Sequence, residues 1–429
     1  MKNSTGKSFS NFMILWCGDI IASIGSGLTA FALSVYVIKL TGKVTDAALV
    51  TLFSFLPAVI LNPLAGVLAD RYDRRLLMIL GDGLSVFGLI FIVICILKGN
   101  VSMWQIYFGV GISSIFTALL EPAYKATITD LLSDEDFAKA SGLVQLAGSA
   151  RYLLSPVIAG ILLSFTGIIS ILVIDISTLI VTIPVTIYIK KVIGNTKVEN
   201  SNNQSFYKDF RDGWKAITAN RGILMIIIII SIATFYVGFL QTLFTPMLLS
   251  ITNARTIGIL ESLSAIGMLV SSMIIGTINI TKKYVAQLVI GLALAGTFIS
   301  IFGLRANIWL IGIFGFLFFA TLPFLNTSAD VLIRRNIPDD KQGRAWGLVG
   351  ILSQCGYLLA YGISGILADY VFNPLLVEGG ALASTLGKIF GVGNGRGIGL
   401  LISISGIFLI FLAIFMGSIR SIRKLEKTS

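Results

Sequence analysis

The sequence of 429 residues contains no histidine, only three cysteines and few charged residues, which make up 12% of the chain. Without histidine the chain lacks the commonest metal ligand and the usual general base. Cys17, Cys95 and Cys355 each lie within an apolar run, so they form neither a disulfide framework nor a metal-ligand pattern. Soluble domains carry about 25% charged residues. We therefore expect no metal site and no cofactor, and the low charge argues against a soluble protein.

Hydrophobic residues, in contrast, make up 55% of the chain. An excess this large cannot be packed inside one soluble core and requires a lipid bilayer. A spanning helix needs about 20 mostly apolar residues, because its backbone groups must be satisfied within the segment. The sequence therefore predicts an all-α integral membrane protein with twelve transmembrane helices. The predicted spans cover residues 12–40, 46–69, 76–97, 103–124, 142–165, 168–189, 222–248, 257–280, 285–304, 308–332, 345–371 and 397–419.

Lysine and arginine lie mostly in the loops of one side. If both termini are cytoplasmic, the cytoplasmic segments hold 24 of these residues and the other side holds 7. Cytoplasmic loops carry such an excess in membrane proteins. The net charge of +11 is then a result of topology, and no nucleic-acid partner is needed to explain it. We expect a multi-pass protein of a bacterial cytoplasmic membrane with both termini in the cytoplasm.

A shift of 205 residues matches part of the chain to itself. Tyr152-Leu153-Leu154 falls on Tyr357-Leu358-Leu359, and Gly160-Ile161-Leu162 falls on Gly365-Ile366-Leu367. Span 5 thus corresponds to span 11, which indicates six spans followed by six related spans. Two halves of this kind are typical of solute carriers with a site between them. The predicted domains are residues 1–189, a linker at residues 190–221, and residues 222–429.

The linker and one long loop carry patterns of their own. Phe206, Phe210, Trp214 and Ile217 recur at helical spacing among charged residues, which predicts an amphipathic helix on the inner membrane surface. A solvated linker helix is the alternative. The glycine-rich run 391–397 follows no predicted strand, so we do not expect nucleotide binding there.

The loop after span 2 combines a glycine, two aspartates and three arginines in ten residues. It reads Gly66-Val67-Leu68-Ala69-Asp70-Arg71-Tyr72-Asp73-Arg74-Arg75. We expect Gly66 to let two helices approach closely, and Asp70 to face the positive N-terminus of a neighbouring helix. The arginines are expected to hold the loop against acidic partners, with Asp82 in span 3 as their structural partner. The alternative is that Arg71, Arg74 and Arg75 are only the positive charges of a cytoplasmic loop.

This loop resembles the signature loop of the major facilitator superfamily, Gly-x-x-x-Asp-Arg-x-x-Arg-Arg/Lys. With Ser54-Phe55-Leu56-Pro57, Ser155-Pro156 and Gly343-Arg344, the chain looks like the macrolide-efflux type of bacterial drug exporter. The resemblance implies the major facilitator fold, with two pseudo-symmetric six-helix halves and a cavity lined by spans 1, 4, 7 and 10. It also implies that the signature loop acts as a conformational latch between the halves.

Two departures from the family pattern limit what the resemblance implies. The second half retains only Gly276 and Lys282-Lys283 of the signature loop, with Ile280 where an acid is expected, so the latch is predicted on one side only. The antiporter motif of span 5 is degraded to Ser155-Pro156-Val157-Ile158-Ala159-Gly160, which weakens the inference of proton antiport from that motif.

Charged residues within the spans are functional candidates, because each costs about 2.5–3.5 kcal/mol at mid-membrane on insertion scales. Asp19 in span 1 and Glu121 in span 4 lie on helices that the resemblance assigns to the cavity. Carboxylates that share such a cavity are expected to load and release protons near neutral pH. Glu121 could alternatively extend to the membrane edge. Arg151, near the middle of span 5, is a candidate counter-ion or substrate anchor, or else half of a salt bridge within the bundle.

Three further acids are more ambiguous. Glu261, toward the outer end of span 8, is predicted either to line the cavity or to lie at the membrane interface. Asp330, near the inner end of span 10, is a candidate for coupling or substrate binding, although Arg334 one turn away could pair with it. Asp175 in span 6 is predicted to be structural, because the resemblance places it on an outer helix.

These features predict a secondary active transporter, and not an enzyme, that exports hydrophobic or amphipathic small molecules such as macrolides by proton-coupled alternating access. Its expected partners are the substrate, protons and the lipid bilayer; we expect a monomer that binds no nucleic acid and no nucleotide. The alternative within the same fold is export of a siderophore, lipid or self-made peptide, or uptake of a nutrient. The lack of histidine and of a nucleotide-binding domain disfavours an integral enzyme or an ATP-driven pump, and the two-half repeat disfavours a channel.

Overall fold

The computed structural model describes residues 8–193, 211, 214, 215, 217–277, 283–337 and 342–426. Twelve of its helical segments are long and apolar enough to cross a membrane, which confirms the twelve predicted spans. The described chain clusters into two compact units. Unit 1 comprises Met1–Thr41 and Leu49–Asn202, and unit 2 comprises Gly42–Ala48 and Asn203–Ser429. The predicted linker at residues 190–221, with its amphipathic helix, lies largely outside the described residues and stays a prediction.

Spans 1 to 6 are formed by eight helices. They are α1 Phe9–Thr41, α2 Val44–Arg71, α3 Arg74–Leu97, α4 Met103–Thr117, α5 Leu120–Leu131, α6 Phe137–Leu153, α7 Ser155–Phe165 and α8 Ile168–Ile193. Within unit 1, α1 packs against α6, α7 and α8, and α3 packs against α4, α5 and α8.

Spans 7 to 12 are formed by the remaining helices of the described chain. They are α9 Arg221–Leu249, α10 Ala254–Thr277, α11 Tyr284–Phe302, α12 Ile308–Asn336, α13 Gln342–Leu367, α14 Asn373–Leu376, α15 Gly387–Phe390, α16 Arg396–Ser418 and α17 Arg420–Leu425. A π-helical turn, Ala368–Phe372, joins α13 to α14. Within unit 2, α9 packs mainly on α13, α10 on α12, and α11 on α12 and α16.

Two spans of unit 1 are broken by a proline, although the sequence predicted each as one continuous helix. In span 4, α4 ends at Thr117 and α5 begins at Leu120. Pro122 lacks an amide hydrogen, and its ring clashes with the carbonyl four residues earlier, which is that of Ala118. In span 5, the break at Leu154 lies directly before Ser155-Pro156, where the proline occupies the first turn of α7.

Capping residues fix where several helices begin. The Asp73 carboxylate accepts hydrogen bonds from the backbone N–H groups of Arg75 and Leu76 at the start of α3. Asn307 does the same for Trp309 and Leu310 at the start of α12. Such caps satisfy amide groups that have no partner inside the helix, and each contributes about 0.5–2 kcal/mol.

The start of α2 is capped by a residue that lies far away in the sequence. The Asp369 carboxylate accepts hydrogen bonds from Val44 N (3.1 Å), Thr45 N (2.8 Å) and Thr45 Oγ1 (2.7 Å). These residues all belong to unit 2, whereas α2 from Leu49 onward belongs to unit 1. A single helix therefore runs through both units.

Glycine allows some helices of unit 2 to pack at backbone contact. A Cβ atom at Gly356 of α13 would collide with the Ser231 carbonyl oxygen of α9, and one at Gly406 of α16 would collide with the Gly296 carbonyl of α11. Hydroxyl groups reinforce the first contact, because Ser231 Oγ donates to Leu352 O at 2.8 Å and Thr234 Oγ1 donates to Ser353 O at 2.7 Å.

Candidate functional site

Asp19 lies in unit 1, where α1 faces the buried Tyr124 of α5. Among the described residues, the Tyr124 hydroxyl has no hydrogen bond of good geometry. It nevertheless lies close enough to the Asp19 carboxylate to interact with it. One turn earlier on α1, Trp16 Nε1 donates to Leu143 O of α6 at 2.6 Å and fixes this part of the helix. No cation within the described chain lies at ion-pair distance from Asp19. The neighbour of this carboxylate is therefore a hydroxyl and not a positive charge.

Asp82 of α3 connects Asp19 to a second acid. Its charge interacts with those of Asp19 and Asp175, and its carboxylate lies beside the buried hydroxyl of Thr182 on α8. Within the described chain, that hydroxyl has no hydrogen-bond partner. Asp82 was predicted to be the structural partner of the signature-loop arginines, and that prediction is wrong. Asp82 lies about 10 Å farther along α3 than Arg75, and the arginines pair elsewhere.

Asp175 of α8 is held by a hydroxyl from span 1. Thr29 Oγ1 donates to Asp175 Oδ2 at 2.6 Å, and a Cβ atom at Gly25 would come within 2.8 Å of Asp175 Oδ1. Glycine at position 25 thus leaves room for the carboxylate. Arg151 of α6 interacts electrostatically with Asp175, but its side chain is exposed and makes no ion pair within 4.0 Å among the described residues. Arg151 therefore acts on Asp175 through its charge at a distance and not through a direct ion pair.

The arginines of the signature loop converge on Asp130 at the end of α5. Arg74 Nη1 lies 2.7 Å from Asp130 Oδ1, and Arg75 Nη2 lies 2.5 Å from Asp130 Oδ2. The Arg75 side chain is fully buried, whereas that of Arg74 is 29% exposed. One carboxylate therefore joins the loop after span 2 to the end of span 4. Asp73 completes the cluster, because Lys190 Nζ lies 3.4 Å from Asp73 Oδ2.

The other members of the predicted latch are placed differently. Arg71 is exposed, and the Asp70 side chain lies outside the described part of the structure. Among the described residues, no atom lies within 4 Å of the position that a Cβ of Gly66 would take. The close helix approach that the sequence predicted at Gly66 is therefore not observed, because α2 has open space on that side.

Glu121 is separated from the buried acids of unit 1. Glu121 Oε1 lies 2.6 Å from Lys125 Nζ one turn later on α5, and their side chains are 65% and 64% exposed. An exposed i,i+4 ion pair of this kind contributes only about 0.3–0.5 kcal/mol. Glu121 thus has a cationic partner, whereas Asp19 lies near a hydroxyl group; their shared place in one cavity stays a prediction.

Two acids within the spans of unit 2 have different surroundings. Glu261 of α10 accepts a hydrogen bond from Thr245 Oγ1 of α9 at 2.8 Å. Asp330 of α12 is exposed and interacts electrostatically with Arg334, as the sequence allowed. In the described part of the chain, no group of three or more histidine, cysteine, aspartate or glutamate side chains could hold a metal ion.

Unit 2 contains a cavity that we call the unit 2 cavity. Its volume is about 90 Å³. One face of α9 contributes residues at helical spacing, and α11, α12, α13 and α16 complete the wall. Apart from Thr234, Asn326 and Tyr357, the lining is apolar. The lining residues are Ile226, Ile229, Ile230, Ala233, Thr234, Val237, Leu288, Leu292, Ala295, Phe318, Leu322, Leu325, Asn326, Ala329, Tyr357, Leu409 and Met416.

Sequence reasoning missed three of these features. The cavity arises from small residues on several helices, and only the 3.6-residue spacing on α9 could have indicated one wall of it. Asp130 and Tyr124 lie among other polar residues of α5, such as Lys125 and Thr127, and no local pattern marks them. The aromatic residues that a cavity in span 7 would suggest, such as Phe239 and Phe244, are instead buried and do not line it.

Comparison with known proteins agrees with this architecture. The sequence profile of the Major Facilitator Superfamily matches residues 15–252 and 230–377. Macrolide efflux protein A of Streptococcus pyogenes is 24% identical over 364 residues, which cover 84% of this chain and 90% of the relative. Macrolide efflux protein A of Enterococcus faecalis is 24% identical over 304 residues, which cover 70% and 94%.

A solved structure extends the comparison to three dimensions. The crystal structure of a bacterial homolog of the human lysosomal transporter Spinster matches with a TM-score of 0.70 and 14% sequence identity. The match covers 98% of this chain and 99% of that one. At this identity the likeness shows the fold alone.

Proposed function

Because this chain belongs to the Major Facilitator Superfamily, and is therefore a transporter and not an enzyme, we propose that it exports hydrophobic or amphipathic small molecules in exchange for protons. Macrolide-like drugs are the first substrate class to test, since macrolide efflux proteins are relatives over most of the chain. The two halves would alternate access to the two sides of a bacterial cell membrane, with both termini in the cytoplasm and the protein acting as a monomer.

The observation that carries the proton coupling is the position of Asp19. Its carboxylate lies inside a helical unit, next to a buried hydroxyl and without a cation at ion-pair distance among the described residues. A buried charge without a partner is costly, and binding a proton removes that charge. Asp19 is therefore the proposed site of proton loading and release, while Tyr124 is the group best placed to respond to the change.

The other candidate residues receive secondary roles in this proposal. Arg151 would act as a counter-ion for the acids of unit 1, because its charge interacts with that of Asp175. Glu261 and Asp330 would contribute polar groups of unit 2, and Glu121 is the weakest candidate because Lys125 already pairs with it. The loop from Gly66 to Arg75 would act as a latch, with Asp130 as its acidic partner inside unit 1.

The test is uptake of erythromycin and of a fluorescent cationic dye by everted membrane vesicles in which the interior is made acidic. We expect uptake that depends on the pH gradient, and we expect Asp19→Asn to abolish it while the protein is still produced and folded. Glu135→Gln is the matched control, because it also removes one carboxylate but from an exposed loop position. Full uptake by Asp19→Asn would rule out this residue as the coupling site.

The same measurement separates the alternative substrates. If the wild-type protein takes up neither compound, macrolide export is wrong. Export of a siderophore, lipid or self-made peptide, or uptake of a nutrient, is then the next hypothesis, and each requires its own labelled substrate in the same vesicles.

A further inference from the structure

We propose that the unit 2 cavity binds the uncharged, apolar portion of the transported compound, and that the Asn326 amide hydrogen-bonds one oxygen atom at its edge. This inference rests on the proposed export function. It assigns substrate binding to a specific place in unit 2, whereas the proposed proton site, Asp19, lies in unit 1.

The first argument is the composition of the wall. Among the described residues, no charged side chain lines the cavity, and the lining is apolar except for three polar residues. One of these three, Thr234, already uses its hydroxyl to donate to Ser353 O at 2.7 Å. An ion placed in such surroundings would lose its hydration without compensation. The cavity therefore selects apolar groups, and any charge on the compound has to remain outside it.

The second argument is the size of the space. Protein interiors are packed as densely as organic crystals and contain few voids larger than a water molecule. The cavity volume of about 90 Å³ exceeds the ~10–15 Å³ that a cavity needs to hold one water molecule, so the space can take a small apolar group of a larger compound. It exists because Ala233, Ala295 and Ala329 stand where larger residues would fill it. Met416 adds a flexible side chain that adapts to irregular ligands.

The third argument is the amide of Asn326. This residue lines the cavity, is exposed, and has no hydrogen-bond partner among the described residues. An asparagine amide offers two donors and an acceptor, so it recognises hydroxyl, ether or carbonyl oxygens without requiring charge. Under the shift of 205 residues Asn326 corresponds to Glu121, whose carboxylate is occupied by Lys125. At these equivalent positions, the second half therefore presents an uncharged amide without a hydrogen-bond partner among the described residues, whereas the first half presents a carboxylate in an ion pair.

The first experiment measures binding directly, without transport. The full-length protein is reconstituted in phospholipid nanodiscs and titrated with the apolar fluorescent probe N-phenyl-1-naphthylamine. Ala233→Phe fills the cavity from α9 and should weaken binding about tenfold or more, the equivalent of about 1.4 kcal/mol. Ile232→Phe is the matched control, because it adds an aromatic ring on the neighbouring residue, which is exposed and does not line the cavity. Unchanged binding in Ala233→Phe, or an equal loss in the control, would overturn the proposal.

The second experiment ties the cavity to the substrate. Asn326→Leu should lower the affinity for erythromycin, which is rich in oxygen, more than the affinity for the naphthylamine probe. Equal losses for both compounds would show that the amide makes no specific contact. In vesicles, Ala233→Phe should slow gradient-driven erythromycin uptake, whereas an unchanged rate would show that the cavity is not on the substrate's path.

The outcomes separate the two hypotheses. If the wild-type protein transports neither test compound but the probe and erythromycin still bind in the way described, then the export proposal fails and the cavity site stands. If the wild-type protein transports erythromycin and Ala233→Phe does so equally well, the export proposal stands and the cavity assignment fails. Phospholipid that co-purifies with the wild-type protein, and that is lost from Ala233→Phe, would identify the occupant as a lipid chain and overturn the assignment to substrate.

Discussion

Spans 4 and 10 show how the two units differ on the same framework. Met103–Leu131 and Ile308–Asn336 are both 29 residues long and start 205 residues apart. At equivalent positions, span 4 carries Glu121 and Lys125, which form an ion pair, and span 10 carries Asn326 and Asp330, which do not. The repeat therefore preserves the length of the span, whereas the helix break before Pro122 and the polar groups differ between the two copies.

The same contrast extends through the two units. Unit 1 contains three half-buried carboxylates, Asp19, Asp82 and Asp175; Asp82 interacts with the other two, and each lies near a hydroxyl group. Unit 2 has an apolar cavity, and its Glu261 accepts a hydrogen bond from Thr245. This contrast leads to the hypothesis that the first half couples protons and the second half binds substrate, and the following mutations test it.

The largest effect is expected from Asp130→Asn in unit 1. This change removes the charge that compensates Arg74 and the fully buried Arg75. A buried ion pair that loses one partner destabilises a protein by about 3–5 kcal/mol. We expect a marked fall in folded yield and in the temperature at which the detergent-solubilised protein aggregates, as monitored by size-exclusion chromatography. A variant with wild-type yield and thermal stability would show that Asp130 is not required to hold the loop.

The next effect concerns two residues that are equivalent under the repeat. Gly356→Ala places a methyl group against the backbone of Ser231, and overpacking of this kind costs about 1–3 kcal/mol. Arg151→Ala shortens an exposed side chain and should leave thermal stability nearly unchanged while it impairs gradient-driven uptake. Measuring both properties for both variants tests whether the position is structural in unit 2 and functional in unit 1. The reverse pattern would contradict the division.

A smaller effect is expected from the two aspartates that cap helices. Asp369→Ala removes three hydrogen bonds at the start of α2, and Asp73→Ala removes two at the start of α3. Loss of a cap costs about 0.5–2 kcal/mol. Asp73 also lies near Arg75 and Lys190. The stability lost in Asp73→Ala should therefore depend on salt concentration more than the stability lost in Asp369→Ala. Thermal unfolding at low and high salt would show the difference, and identical salt dependence would contradict it.

The smallest effect is expected from Glu121→Gln. The Glu121–Lys125 pair is about two-thirds exposed, so its removal should change stability by only about 0.3–0.5 kcal/mol. Uptake should remain close to the wild-type level, in contrast to Asp19→Asn. Loss of uptake in Glu121→Gln with normal folding would restore Glu121 as a coupling residue.

The fold could be predicted from the sequence because apolar runs of about 20 residues form spanning helices in a membrane. All twelve spans follow from that rule, and the signature loop identifies the superfamily. The helix breaks before Pro122 and Pro156 were also readable in principle, because a proline disturbs the carbonyl four residues earlier.

The site could be predicted only in part. Asp19 stands out in an apolar run, but its neighbours Tyr124 and Asp82 come from other helices and depend on how these rotate. The prediction for Asp82 is wrong for the same reason. Asp82 is close to Arg75 in the sequence, but Arg74 and Arg75 pair with Asp130 of another helix. The unit 2 cavity depends on the combined volumes of side chains from several helices, which no local pattern reports.

The cap on α2 gives a way to follow motion without a substrate. The amide hydrogens of Val44 and Thr45 are bonded to the Asp369 carboxylate, so they are protected from exchange with deuterium only while that contact persists. α2 also contains Pro57 and Pro63, which remove backbone hydrogen bonds and make bending least costly in that region. The exchange rates at residues 44 and 45 therefore measure how often the first turn of this helix separates from the π-helical turn Ala368–Phe372, and Asp369→Ala gives the rate for the permanently open state.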